Sequence, residues 1–320
     1  MVRGRVEFDT TELGDFVIAK SLKEPLYHLA VVADDHEMAV THIIRGEDHI
    51  SNTPRQILIQ EAIGAARPIY AHLPLILDSE RKKLSKRRHG ESVSIDFYKK
   101  QGYLPETLTN FLALLGWNPG TEQEIFSLNG LIKSFELEKV QKGGAIFDVE
   151  KLKWMNKEHL RLKGQQFIAG YISETIKNSG RTIDEKLLET ATPTLFERIQ
   201  VAEDLRKSLE AGEWDFLFER PRFGPELLIW KESVKEEVIT ALLETKNVLE
   251  SQEKWEAENL KSTLMPIADR IGKGNVLWPL RVALSGRERS PDPFTLLAVL
   301  GREESLERLS HAISLLSNAS

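Results

Sequence analysis

At 320 residues and about 36.4 kDa the chain exceeds what one hydrophobic core usually organises, so two or three domains are expected. Apolar residues at 41% and charged residues at 29% exclude global disorder, and zero cysteines exclude disulfides, thiolate nucleophiles and sulfur-based zinc sites. A net charge of −6 argues against a protein that coats nucleic acid non-specifically, which relies on a broad excess of Lys and Arg. The eight histidines are scattered without HExxH spacing, so a metal hydrolase has no support. No run approaches the roughly 18–20 apolar residues of a membrane helix, and the first residues lack the apolar core of a secretory signal. The expectation is a cytoplasmic protein with no membrane partner.

In chain order, Leu26–Val32 (LYHLAVV) predicts a strand buried on both faces, ending in a polar turn at Ala33-Asp34-Asp35. Met38–Ile44 (MAVTHII), rich in β-branched residues, predicts a second strand that stops at Arg45-Gly46-Glu47-Asp48. Ser51-Asn52-Thr53-Pro54 supplies capping side chains and a proline for a first helical turn, and Leu58, Ile59, Ala62 and Ile63 give the helical stripe, ended by Gly64. In an open α/β sheet this order puts Arg45 to His49 at the carboxyl ends of strands, where ligands bind.

His72–Leu77 (HLPLIL) reads as another short strand, with Pro74 demanding an edge or irregular position. Arg81–Arg88 follows, with six cations in eight residues of an acidic chain. Pro105–Leu115 predicts a helix with Leu108, Phe111, Leu112 and Leu115 on one face and Gly116 as its C-cap. Asp148 is placed to cap a short helix carrying Leu152 and Met155. Beyond about residue 163 strand signals nearly vanish, and Lys186–Asp204 and Val234–Leu249 read as amphipathic helices, so the second half is expected to be all-helical.

Two features carry chemistry. The planar fork of Arg45 suits bidentate capture of a carboxylate, against the alternative of an ordinary ion pair with Glu47 or Asp48. In the basic loop Lys83 and Lys86 flank Ser85, with Gly90 close behind, which suits a mobile clamp on phosphates; the alternatives are a solvated charge run or a targeting signal. Position favours the clamp, because the loop follows a strand end on the same side of the presumed sheet as Arg45.

Lys83-Leu84-Ser85-Lys86-Arg87 resembles the KMSKS-type loop of class I aminoacyl-tRNA synthetases, in the KLSKR form of the glutamyl-tRNA synthetase family. Tyr27–Ala30, Asp34-Asp35, Thr41–His49, Ser51–Gln56, Ala71–Leu75, Gly102–Glu106, Asn110–Trp117 and Phe147–Asn156 resemble the same family in the same order. The resemblance is dense to about residue 162 and thin beyond. It implies the end of a connective insert over 1–22, the second half of a Rossmann-type catalytic domain over 23–80, the KMSKS-type loop and a stem-contact region over 81–162, and a helical anticodon-binding domain over 163–320.

The reaction it implies is ATP-dependent activation of glutamate to glutamyl-adenylate, then transfer to the 3′ end of tRNA(Glu), with Mg²⁺ as cofactor. No protein nucleophile is needed, because the attacking carboxylate is ionised at pH 7. By the resemblance Lys83, Ser85, Lys86 and Arg87 face the ATP phosphates, Asp48, His49 and Ile76 lie near the adenosine, and Tyr27, His28 and Arg45 form the glutamate pocket. Val31 stands where some members carry a polar residue, and His49 has the alternative of a satisfied polar histidine at a helix start. Arg198 and Arg281 match arginines facing the anticodon, where arginine can pair with or stack on a splayed base; a helix-surface network is the alternative for each.

The family's HIGH-type motif is absent from the 320 residues, whereas the C-terminus reads as complete. The chain is therefore expected to be the C-terminal two-thirds of such an enzyme, inactive alone and monomeric, arising from a truncated gene model, an expression fragment or a split gene, the last with a separate N-terminal segment as partner. A non-catalytic tRNA-binding fragment is the alternative. A relative that modifies tRNA with activated glutamate is disfavoured by the long helical half. Whether tRNA(Gln) is also a partner turns on how Arg198 reads the last anticodon base.

Overall fold

The computed structural model describes residues 2–231 and 233–318. The chain divides into two compact units, Met1–His159 and Leu160–Ser320, with the boundary inside a helix at Val149–Lys163.

The first unit opens with a short antiparallel pair, β1 (Ala19–Ser21) and β2 (Glu24–Pro25). Helix α1 (Tyr27–Glu37) follows, and this corrects the strand expected over Leu26–Val32. An apolar run of that length does not by itself separate a buried strand from a helix. Here the helical turn continues through Asp34 and Asp35 to Glu37, and only Val32 of the helix is fully buried. The second expected strand is real but displaced: β3 spans His42–Gly46, while Met38 caps α1 and Ala39 takes φ +54° in the turn between them.

A 3-10 turn at Glu47–Asn52 leads into α2 (Thr53–Ile63), with proline in its first turn and Gly64 closing it at φ +71°. Strand β4 (Ile69–Leu73) then returns parallel to β3, from His42 opposite Ile69 to Gly46 opposite Leu73. This β–α–β unit puts the 3-10 turn at the carboxyl end of β3, the position at which α/β folds bind ligands. Pro74 interrupts the expected strand, which resumes as β5 (Ile76–Leu77) parallel to β6 (Ala145–Ile146).

The basic segment contains the short helix α3 (Lys86–His89), followed by α4 (Ile95–Gln101), α5 (Pro105–Gly116), α6 (Leu128–Ser134) and α7 (Val149–Lys163). Asp148 caps α7 as expected, accepting from the Glu150 and Lys151 amides at 2.9 and 3.1 Å, and Leu152 and Met155 are fully buried. Helix α5 departs from expectation on two points. Gly116 is its last residue rather than its cap, and the residues it buries completely are Thr107, Asn110 and Phe111, while Leu112 is exposed. The polar members take partners through their oxygens: Asn156 Oδ1 accepts from Thr107 Oγ1 and the Leu104 amide, and Asn110 Oδ1 accepts from the Phe126 amide, while Asn110 Nδ2 is buried without a partner among the described residues.

The described residues of the second unit are helical, with connecting turns and loops: α8 (Gln165–Asn178), α9 (Glu185–Arg198), α10 (Ala202–Glu210), α11 (Lys235–Glu250), α12 (Ala257–Ile271), α13 (Lys273–Ser285), α14 (Pro293–Leu300) and α15 (Arg302–Asn318). The single helix expected over Lys186–Asp204 is two. The break comes at Ile199–Val201, where Ile199 and Val201 are buried and Asp204 Oδ2 accepts the Gln200 and Val201 amides at 2.9 and 3.1 Å. Asp184 and Asp292 cap α9 and α14 from the preceding position, each accepting two amides of the first turn that follows it. The order is the expected one, an α/β half followed by an all-α half.

Candidate active site

Arg45 is the last residue but one of β3, and its side chain turns toward β4 and the start of α2. Its Nε donates to His72 Nε2 at 3.3 Å, and its Nη2 donates to Thr53 Oγ1 at 2.8 Å and to the His49 carbonyl at 3.4 Å. The guanidinium carbon lies 5.5 Å from the centroid of the Tyr70 ring, a cation–π distance. Neither neighbouring acid pairs with it: Glu47 is bound by Arg3, and Asp48 by Lys83 at 2.5 Å. The ion-pair alternative for Arg45 is thereby removed among the described residues. What remains is a half-buried cation held by neutral acceptors and a π face, with Nη1 taking no partner among the described residues.

Tyr27 and His28 lie in the first turn of α1, not on a strand. Tyr27 is 51% exposed, and its hydroxyl lies 3.4 Å from His49 Nδ1. His28 Nδ1 is buried without a hydrogen-bond partner, and its pKa is lowered, first by burial and then by Arg55 and Arg45. His49 Nδ1 also lies 3.1 Å from Asn52 Nδ2, and since an amide nitrogen can only donate, Nδ1 is the accepting nitrogen. Tyr27, Arg45 and His49 are thus brought into one neighbourhood.

The basic loop meets the same turn. Asp48 is held below its ordinary carboxylate range, chiefly by the Lys83 hydrogen bond. Glycine at position 46 leaves room for this, because a Cβ there would run into the Asp48 carboxylate. Ile76 sits at the root of the loop and accepts the Leu84 amide through its carbonyl at 2.8 Å, and Lys83 bridges back to Leu77. Ser85 lies at the N-cap of α3, and Lys86 and Arg87 are exposed on it.

Several contributors went unnoticed in the sequence. Asp78 closes the loop at its base: Oδ1 accepts the Glu80 and Lys82 amides at 3.0 and 2.8 Å, and Oδ2 meets His89 Nε2 at 3.1 Å. Its pKa is lowered, most by the Lys82 amide. Thr53, Tyr70 and His72 are the residues that hold Arg45. Only alternation along β4, which sends Tyr70 and His72 to one face, offered any signal for the last two.

In the second unit, Arg198 is exposed at the end of α9, with its guanidinium 5.4 Å from the Trp214 ring centroid. Nearby, Arg181 pairs with Asp215 at 2.6 Å and Arg287 Nη2 donates to the Ala211 carbonyl at 3.3 Å, so three arginines surround the segment from Ala211 to Asp215. Arg281 is half-buried in α13 and donates to the Glu288 carbonyl at 3.3 Å. No helix among the described residues is long and apolar enough to cross a membrane, and no group of three or more His, Cys, Asp or Glu there could hold a metal.

Comparison with known proteins accords with this geometry. Residues 1–154 match the catalytic domain of class I tRNA synthetases (E and Q), and residues 157–313 match an anticodon binding domain. Glutamate–tRNA ligase of Heliobacterium modesticaldum is 40% identical over 98% of this chain and 64% of its own length. That of Thermobifida fusca is also 40% identical, over 99% of this chain and 67% of its own length. The crystal structure of a glutamate tRNA ligase from Elizabethkingia meningosepticum, in complex with its amino acid, aligns with a TM-score of 0.81 at 31% identity, covering 98% of this chain and 65% of that one. The chain spans about two thirds of the length of the relatives it matches.

Proposed function

The chain belongs to the glutamate–tRNA ligase family of class I tRNA synthetases, and from that premise we propose that it is the C-terminal part of a glutamate-activating, tRNA-charging enzyme. In the first step an oxygen of the glutamate α-carboxylate attacks the α-phosphorus of ATP, the bond to pyrophosphate breaks, and glutamyl-adenylate forms. In the second a ribose hydroxyl at the 3′ end of tRNA(Glu) attacks the glutamyl carbonyl, loses its proton and displaces AMP. The observation that carries this reading is Arg45, a half-buried cation at a strand's carboxyl end whose held partners are all uncharged at neutral pH. Such a group is suited to a substrate carboxylate.

Each side chain then has a task. Arg45 pairs with the side-chain carboxylate of glutamate, and Tyr27 and His28 bound the pocket. Asp48, His49 and Ile76 lie against the adenosine. Lys83, Ser85, Lys86 and Arg87 bind the phosphates, with Lys86 placed to meet the charge that develops as pyrophosphate departs. Among the described residues no cluster of His, Asp or Glu forms a cage for Mg²⁺; bound together with ATP, the ion would supply neutralising charge at the phosphates.

In the same reading 1–22 is the end of a connective insert, 23–80 the second catalytic half, 81–162 the loop and stem-contact region, and 163–320 the anticodon-binding domain. Arg198 stacks on or pairs with an anticodon base, and its reading of the last base decides between tRNA(Glu) alone and tRNA(Gln) as well. Arg281 already spends one nitrogen on Glu288, which favours a structural share in its role. The protein works as a monomer in the cytoplasm.

A second reading, a tRNA-binding fragment without chemistry, draws on the two-thirds span and the absence of a HIGH-type motif. Charging with labelled glutamate separates the two, assayed with the chain alone and with a separately expressed N-terminal segment taken from a relative. Activity in the mixture supports the ligase. Silence in both, with tRNA(Glu) still bound, selects the binding fragment.

A further inference from the structure

His72 is 8% exposed, and its Nε2 faces Arg45 Nε at 3.3 Å and Thr53 Oγ1 at 3.2 Å. The arginine Nε–H is an obligatory donor, so a bond between the two requires Nε2 to be unprotonated and the imidazole to be neutral with its proton on Nδ1. The hydroxyl of Thr53 is then free to donate to the His49 carbonyl at 3.1 Å while accepting from Arg45 Nη2 at 2.8 Å. The bonds of Arg45 to His72 and Thr53 and of Thr53 to His49 fit one assignment of protons, in which the 3.2 Å approach of Thr53 Oγ1 to His72 Nε2 is a contact that shares no proton. Tyr70 lies parallel to the His72 ring, at 1° between planes and 6.1 Å between centroids, and carries the arginine against its face.

The consequence concerns which edge of the guanidinium remains available. The Nε side is occupied by His72 and Thr53, and Nη1 is left without a partner among the described residues. We propose that His72 is a positioning residue for Arg45: as a neutral acceptor it pins the Nε edge and turns the Nη1 end toward the substrate carboxylate. This rests on Arg45 being the carboxylate receptor. The lowered pKa of His72, set first by burial and then by Arg45, agrees with a neutral ring. The charged and titratable groups facing it are Arg45 from β3, His49 from the 3-10 turn, Arg3 from the N-terminal segment and Tyr70 from its own strand. A proton on Nε2 would break the contact, in the neutral Nε2–H tautomer by removing the acceptor and in the doubly protonated ring by also setting a second cation against Arg45.

The test is nitrogen NMR on the full chain. The expected result at pH 7 is His72 with Nε2 unprotonated and an Arg45 Nε–H that exchanges slowly. His72→Ala should speed that exchange about 10-fold, and His72→Gln, whose amide oxygen can accept in place of Nε2, should restore much of it. A protonated Nε2 in the unsubstituted chain overturns the proposal without any variant, and so does unchanged exchange in a folded His72→Ala chain. In the reconstituted charging assay His72→Ala should raise the KM for glutamate and leave the KM for ATP, with recovery in His72→Gln; equal rises in both overturn it. If the unsubstituted mixture does not charge tRNA, the ligase reading fails, while the resonances still decide whether His72 holds Arg45.

Discussion

Lys83 Nζ donates to Asp48 Oδ2 at 2.5 Å, joining the basic loop to the turn after β3 across 35 positions of sequence. Both side chains are substantially exposed, so the pair is screened and contributes little to stability. It places the loop beside the turn that would receive the nucleotide. The pair also has a pH signature. Asp48 titrates below an unfolded aspartate, so whatever stability it adds is present above the ordinary carboxylate range and is lost as pH falls through its folded value. Lys83→Ala should move the Asp48 carboxyl back up toward the ordinary carboxylate range, read by carbon NMR titration. An unchanged Asp48 in that variant would mean that Lys83 is not its partner in solution.

Arg45→Ala in the reconstituted enzyme is expected to raise the glutamate requirement by about 10- to 100-fold while leaving that for ATP near its starting value, the scale of a lost charge-assisted hydrogen bond. Arg45→Lys should recover little of this, because an ammonium cannot reproduce the edge held by His72 and the end offered to substrate. Steady-state kinetics with each substrate varied in turn decides it, and a matched loss for both would assign Arg45 to folding instead.

Lys86 is exposed on α3, so its removal should leave the fold intact and act on chemistry. A drop in adenylation rate of about 100-fold, measured by pyrophosphate exchange, is expected for Lys86→Ala with tRNA affinity unchanged. Loss of tRNA binding alone would reassign the loop as a nucleic-acid contact.

How far the sequence carried these assignments differs by element. The helix at Thr53–Ile63 was legible because its start and stop are chemical: a proline in the first turn and a glycine at positive φ. The segment Leu26–Val32 was not, because β-branched Val31 and Val32 weigh toward strand over a run too short to show a period. Arg45, Asp48 and Lys83 stood out as motif residues, yet their pairing did not, since an acid next to an arginine in sequence is the expected partner and here another cation takes it. His72 and Asp78 escaped notice because a positioning role is set by what lies across the strand or the loop, information that spacing along the chain does not hold.

Asn156 illustrates the same blindness in the core. It is fully buried, and its Oδ1 accepts both the Leu104 amide at 2.9 Å and Thr107 Oγ1 at 3.1 Å, tying α7 to the start of α5. Asn156→Leu keeps the branching and heavy-atom count of the side chain and strands those donors in an apolar interior, so a loss of about 2–4 kcal/mol is expected in urea unfolding of the first unit. A change within about 0.5 kcal/mol would show that the donors find other acceptors.

Arg308 presents the corresponding case in the second unit. It is 6% exposed, and its three nitrogens point three ways: Nε to Glu304 Oε1 at 2.8 Å, Nη2 to the Phe216 carbonyl at 2.9 Å, and Nη1 to the Leu284 carbonyl. The two carbonyls belong to different segments, so this one guanidinium fixes α13, α15 and the turn after Trp214 together. Removing it leaves buried acceptors and a half-neutralised Glu304, whose other arginine, Arg220, lies at the exposed rim. Arg308→Ala should therefore cost about 3–5 kcal/mol. Lysine cannot reach in three directions from one plane, so Arg308→Lys should recover less than half of that loss in thermal or urea unfolding. Full recovery by lysine would mean that charge alone, and not the fork, holds these helices.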